Sequence, residues 1–417
     1  MKRWSWVLRR IVRKIWFRAA VISLLSVVLA ILSGAIVPYL PYAFGADLGQ
    51  DAVGTILQIM ASSMLAVTTF SLTAMVSAYS SATQLATPRA TQLLINDPTS
   101  QNALSTFLGA FVFSIVGIIG LQTHAYGNEG RIILFGATVL IVIWVVVTLL
   151  RWIAHITAFG RMSDVIDRVE NAAAEAMTDF AAAPYLGGRP AIAVPAEARS
   201  IRGETTGYVT HVDVAALGAI ATQRGIVIHV VVLPGAMVHP HRDLLRIEGA
   251  VDDALRTLML RAFTIERHRS FDQDPRLGLI ALSEIASRAL APATNDPGTA
   301  IEVLNALLRV LLNLPVDQPD AVEIDELPPV YLPRPTIEEM LTDAFRPILR
   351  EGGQEAEVTI RLTVTLAALH AALPAARHDV RALADHCLER ARRMMDDPDD
   401  LAAFEAAHRT HWGDRAD

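Results

Sequence analysis

The stretch that decides the fold runs from Val53 to Val76 and reads VGTILQIMASSMLAVTTFSLTAMV, 24 residues without a charge. A helix rises about 1.5 Å per residue and the hydrocarbon core of a bilayer is about 30 Å thick, so a run of this length can cross. Lipid offers no partner to free backbone N–H and C=O groups, so a crossing segment has to be helical. Three further runs of the same kind accompany it: Ala19–Val37, Ala103–Leu121 and Ile132–Leu150, each of 19 uncharged residues. One such run also fits a buried helix of a water-soluble protein. Four in succession predict a membrane all-α region of four transmembrane helices, at about 19–37, 53–76, 103–121 and 132–150.

The flanks set the expected orientation. Residues 1–18 carry seven cations, Lys2, Arg3, Arg9, Arg10, Arg13, Lys14 and Arg18. Arg89 lies between the second and third runs, and Arg151 and Arg161 follow the fourth. The opposite loops are short and hold Asp47, Asp51, Glu129 and Arg131. The positive-inside rule then places both termini in the cytoplasm. Trp4, Trp6, Trp16 and Trp152 gather on that side, and Tyr39, Tyr42 and Tyr126 on the other, as interfacial belts do. Arg89, Trp152 and His155 are the expected membrane-interface residues. The first run exceeds the length of a signal-peptide core and reads as an uncleaved first helix.

The chain of 417 residues is 52% hydrophobic, with a mean hydropathy of +0.37. That is too apolar for a disordered chain. The net charge of -7 hides a division. Up to Ser163 there are 11 Lys and Arg against 4 Asp and Glu, and afterwards 25 against 39. The acidic remainder argues against nucleic acid as a partner, because phosphate backbones are met by clustered cations. A single cysteine, Cys387, excludes an intramolecular disulfide framework and every CxxC motif. With only Lys2 and Lys14 there is no phosphate-binding G-x-x-x-x-G-K loop. The signatures G-x-G-x-x-G, G-x-S-x-G and H-E-x-x-H are missing as well. No cofactor, resident metal or catalytic constellation is expected.

Within the Val53–Val76 run and just beyond it, Ser62, Thr69, Thr73 and Ser77 fall on one helical face, with Ala66 between them. Ser63, Thr68 and Ser71 widen the pattern. Such a face serves either close helix packing, with hydroxyls bonded back to the preceding turn, or the lining of a wet pore. No Asp, Glu, Lys or Arg occurs inside the four runs, which counts against ion-coupled transport. Asn96-Asp97-Pro98 marks a turn able to cap the helix that follows.

Beyond residue 162 the pattern becomes that of an α+β cytoplasmic module. An amphipathic helix from Met162 to near Phe180 buries Val165, Ile166, Val169, Ala173 and Met177. Gly207–Val212, Ile226–Leu233 and Leu244–Ile247 read as strands and Val214–Thr222 as a helix, giving an α/β subdomain over 162–250. A mainly helical subdomain over 251–417 is expected next, with runs near 251–266, 276–291, 298–313, 337–350, 355–372 and 376–395. Val358, Ile360, Leu362, Val364 and Leu366 alternate as a strand does, although the flanking Ala367–Leu373 favours helix. The prolines from Pro328 to Pro335 suggest a linker or an extended crossing segment.

Several segments together resemble a bacterial family of predicted polytopic membrane proteins, a domain of unknown function. They are Ala86-Thr87-Pro88-Arg89, Leu108-Gly109-Ala110-Phe111, His155-Ile156, Gly207-Tyr208-Val209 through Asp213, Asp343-Ala344-Phe345, and above all Arg288-Ala289-Leu290-Ala291-Pro292-Ala293-Thr294-Asn295-Asp296-Pro297-Gly298-Thr299-Ala300. The resemblance extends over nearly the whole chain. The family has Ser where Thr87 stands and a bulkier residue at Gly298. The resemblance implies an architecture and no reaction.

Among polar clusters, Asp274 before Pro275 and Asp296 before Pro297 read as helix N-caps with proline at the first helical position. Two helix starts in neighbouring loops, with Arg288 and Asn295 nearby, form either a set of caps or a pocket for a small anionic ligand on the cytoplasmic face. His211, His239 and His241 are weak candidates for a metal site, and His239-Pro240-His241 is equally a polar turn. His378-Asp379 and Asp385-His386 lie on a helix with an ordinary apolar stripe. His155 suits interface anchoring or pH sensing. Two functions remain open: a passive channel, in which case a homo-oligomer is needed, and a membrane-anchored ligand-binding or scaffolding protein.

Overall fold

The computed structural model describes residues 15–35, 50–85, 87–95, 97–123, 128–314 and 327–413. The expected basic segment 1–18 and the loop bearing Asp47, Tyr39 and Tyr42 lie largely or wholly outside them. The described chain forms two compact units. One is helical and holds the residues up to Gln84 with Thr91–Asp164. The other holds Leu85–Ala90 and everything from Val165 onward.

The helical unit is built from α1 (Ile15–Ala35), α2 (Gln50–Leu85), most of the short α3 (Pro88–Ile95), α4 (Pro98–Gln122) and α5 (Asn128–Ala158). The apolar runs supply the helices, and prolines punctuate them. Pro98 takes the first position of α4, where no amide hydrogen is needed. Asp97 caps the same helix by accepting from the Ser100 amide at 2.6 Å. Leu57, Met60 and Met64 of α2 pack with Phe107, Ala110 and Phe113 of α4 and with Leu134 and Val145 of α5. Gly109 lets α4 come close to Ile22 and Ser26 of α1. Among the described residues three segments are long and apolar enough to cross a membrane: Ala52–Thr83, Pro88–Gln122 and Gly130–Thr157. The outer side of α5 shows Leu140, 70% exposed, and Trp144, 67% exposed. Large apolar side chains in that position are satisfied by hydrocarbon and not by water.

The second unit takes in α6 (Met162–Ala182) from Val165 onward, and this helix buries the stripe expected for it. Strands β1 (Arg189–Pro190), β2 (Arg199–Arg202) and β3 (Gly207–Val212) follow, then α7 (Val214–Arg224), β4 (Val227–Val230), β5 (Met237–Val238) and β6 (Asp243–Glu248). Next come α8 (Asp253–Leu260), β7 (Phe263–Glu266), α9 (Pro275–Ala289), α10 (Pro297–Leu311) and β8 (Val330–Leu332). The chain ends in α11 (Ile337–Gly352), α12 (Ala356–Ala372), α13 (Arg377–Met394) and α14 (Pro398–Trp412). A five-stranded sheet has the order β1-β8-β4-β6-β2, and a three-stranded one the order β5-β3-β7.

The sheets cross the boundary expected at residue 250. The helix expected over 251–266 stops at Leu260, and Phe263–Glu266 pairs antiparallel with β3, with Val212 opposite Phe263. The aromatic and β-branched residues Phe263, Thr264 and Ile265 suit a pleated surface better than a helix. Of the two readings of the proline-rich segment, the extended one fits. Val330–Leu332, flanked by prolines that need not donate to the ladder, inserts parallel between β1 and β4. Conversely, the alternation at Val358–Leu366 is helical: Val358, Leu362, Leu366 and Leu369 bury one side of α12.

Gly278 of α9 faces Ala173 of α6 so closely that a Cβ there would collide with it. Gly278→Ala is therefore expected to push the two helices apart and destabilise the protein by about 1–3 kcal/mol. A lower thermal midpoint for the variant in detergent checks this.

Candidate functional site

The polar face of α2 is the most extended candidate. Ser62, Thr69, Thr73 and Ser77 are all exposed on the surface of the single chain. The inner side of the same helix carries Val53, Leu57, Met60 and Met64. At about 100° per residue, Thr55, Gln58, Ser62, Thr69, Thr73, Ser77 and Ser80 fall within a sector of about 100°, and each of them is exposed. Gln58 was missed in the sequence although it stands one turn before Ser62. The widening residues divide: Ser63 is exposed, whereas Ser71 is buried on the inner side. Ser62, Thr69 and Thr73 donate to the carbonyls of Ile59, Leu65 and Thr69, each at 3.0 Å. Among the described residues Ser62, Thr69, Thr73 and Ser77 thus stay on the outside, and three of their hydroxyls are satisfied locally.

Each of the expected interface residues has partners within the protein. Trp152 is 2% exposed and packs in the interior of the helical unit, because the inner side of α5 needs a large apolar filler there. His155 lies between Trp152 and Phe159 and binds the Asp97 carboxylate through Nε2 at 2.9 Å. Asp97 is 3% exposed, so its capping bond and the imidazole together meet a carboxylate that water does not reach. Arg89 belongs to the second unit and forms an ion pair with Glu284 of α9.

Of the four residues of the expected anion or cap cluster, Arg288, Asn295 and Asp296 share the turn between α9 and α10, and Asp274 stands apart from them at the far end of α9. Asp274 caps the start of α9 and Asp296 that of α10, accepting from the amides of Leu277 and Thr299. All of α9 separates them, and 15 residues of helix span about 22 Å. Arg288 is exposed in the last turn of α9. Asn295 adopts a left-handed backbone, φ 48°, where an asparagine is tolerated and the chain turns from α9 into α10. Asp274 is buried and held by both Nε and a terminal nitrogen of Arg269, at 2.7 and 2.9 Å. Burial pushes its carboxyl above the ordinary 3.8, although Arg269 pulls the other way. Gly235, at φ 89°, leaves room for that pair, since a Cβ would strike the Asp274 carboxylate. These features account for both Asp-Pro pairs as helix starts.

His211 is buried in β3, and the His239 and His241 rings lie 6.2 Å apart in a turn. His229 bonds Glu248 at 2.7 Å and stacks on Tyr331. Among the described residues no group of three or more His, Cys, Asp or Glu is placed to hold a metal ion. Cys387 is buried in α13, and desolvation pushes its thiol up to about 12.

Long apolar helices with a lipid-adapted outer face, followed by a mixed α/β unit, define a membrane protein. The chain belongs to the DUF2254 family of predicted membrane proteins, whose family model matches residues 12–368. It is similar to an uncharacterised protein of Mycobacterium tuberculosis, 24% identical over 384 residues, covering 84% of this chain and 71% of the relative. An uncharacterised protein of Mycobacterium bovis matches with the same identity and coverage. A further M. tuberculosis protein is 37% identical over 115 residues, 26% of this chain and 22% of its own. No solved structure matches the chain.

The Thr299 hydroxyl, at 2.6 Å, and the Thr299 amide hold the Asp296 carboxyl below its ordinary 3.8. Loss of this cap in Asp296→Ala is expected to cost about 1 kcal/mol at neutral pH. Because the folded value is depressed, that advantage is full above pH 3.8 and is lost as the pH falls through the lowered value. Thermal melts of both proteins between neutral and acid pH should show the gap closing only at the acid end.

Proposed function

We propose that the protein is one subunit of an oligomeric channel, a passive permeation pathway in a bacterial inner membrane, and not an enzyme. In this reading α1, α2, α4 and α5 make four crossings and both termini lie in the cytoplasm. The α/β unit there gates or assembles the complex. The observation that carries the reading is the polar stripe of α2 on the outside of the single chain. A hydroxyl and amide face is poorly matched to lipid tails, whereas α5 meets them with Leu140, Trp144 and Leu150. Copies arranged about an axis turn the α2 stripe onto a water-filled lumen and keep the α5 face in lipid. Four helices enclose too little space alone, so the pathway belongs to the assembly. The uncharged runs suit passive flow.

A second reading, a membrane-anchored ligand-binding or scaffolding protein without transport, draws on the hydrogen bonds. Ser62, Thr69 and Thr73 satisfy their hydroxyls on their own helix, which lets such residues face lipid.

Thr69→Cys and Thr73→Cys separate the two. Buried Cys387, with its raised pKa, stays silent towards thiol reagents. The channel reading expects both new cysteines to be modified by a membrane-impermeant reagent and the modification to reduce ion flux through liposomes containing the purified protein. Protection at both positions, with liposomes that stay tight, supports the anchor instead.

A further inference from the structure

We infer that the α/β unit binds a phosphate group in a pocket between α9, α11 and α13, a site different from the α2 stripe. The cavity has a volume of about 860 Å³. Every residue lining it belongs to the one unit.

Two hydroxyls mark its wall. Ser283 is 1% exposed and its Oγ has no hydrogen-bond partner among the described residues. Ser287, one turn further along α9, also has a buried Oγ without a partner there. A buried hydroxyl left unpaired is costly, and in a folded protein it asks for an acceptor supplied from elsewhere.

The charges around these hydroxyls point to an anion. Arg346 of α11 and Arg390 of α13 line the cavity, and among the described residues neither forms an ion pair. Arg390 is fixed in place by donating to the carbonyls of Leu349 and Arg350, at 2.9 and 2.8 Å, which orients its charge without neutralising it. The two carboxylates on the wall are already compensated. Glu284 pairs with Arg89, and Asp343 accepts from Arg276 at 2.6 Å. His386 adds a further donor.

A phosphate presents three or more acceptor oxygens and satisfies two hydroxyls and two guanidinium groups at once, which a carboxylate with two oxygens does less completely. The cavity is larger than a bare phosphate, and Ile280, Pro347 and Leu349 give it apolar walls. The occupant is therefore a phosphate ester with an organic body. A phospholipid headgroup and a soluble phosphate ester share this chemistry.

Isothermal titration of the full chain in maltoside micelles tests the site with three probes: inorganic phosphate, glycerol 3-phosphate and dihexanoyl-phosphatidylglycerol. Binding of at least one is expected, weakened about tenfold by Arg346→Ala and by Ser283→Ala. Without any probe, Ser283→Ala should melt higher than the wild type, because it removes an unpaired buried group. Binding of the soluble probes assigns a soluble ester, and binding of the short-chain lipid alone assigns a headgroup. The inference is overturned if nothing binds up to about 10 mM. It is equally overturned if both variants bind as tightly as the wild type.

Discussion

In hydrocarbon a polar group without a partner costs several kcal/mol, and the helical unit is organised around that cost. Its backbone answers with helices. Its hydroxyls answer by bonding back to their own turns, as Thr68, Ser114 and Thr138 do with the carbonyls of Met64, Ala110 and Leu134. Asp97, the one carboxylate between Pro88 and Gln122, takes on a capping bond and an imidazole together. The same rule leaves a polar row on the outside along α2. The row either borders water in an assembly or sits in lipid on the strength of its local bonds.

What could be read from the sequence was whatever depends on local chemistry. The apolar runs, the caps at Asp97, Asp274 and Asp296, the buried stripe of α6 and the strand at Gly207–Val212 each rest on a period or a turn signal within about a dozen residues. What could not be read depends on partners distant in the chain. Phe263–Glu266 is a strand because β3 offers an edge to it, and Val330–Leu332 because β1 and β4 leave a gap. The Asp-Pro pairs looked like neighbours on paper because their local signals are alike, yet a whole helix lies between them. Trp152 fills the interior of the helical unit, a packing that no local signal announces.

The same limit explains the pocket. Ser283, Arg346 and Arg390 come from three helices, and none stands in a motif. Each is ordinary in its own segment. Only their convergence gives them meaning, and the accompanying ion pairs, Arg89 with Glu284 and Arg276 with Asp343, decide which charges remain to be met.

The placement of β8 has a consequence for biosynthesis. In the larger sheet β1 touches only β8, and β8 also flanks β4, so the strand made last holds the first one in place. A ribosome releases Arg189 and Pro190 well over a hundred residues before their partners Tyr331 and Leu332. Until then the nascent sheet has an open edge at β4, the kind of edge that invites wrong pairing.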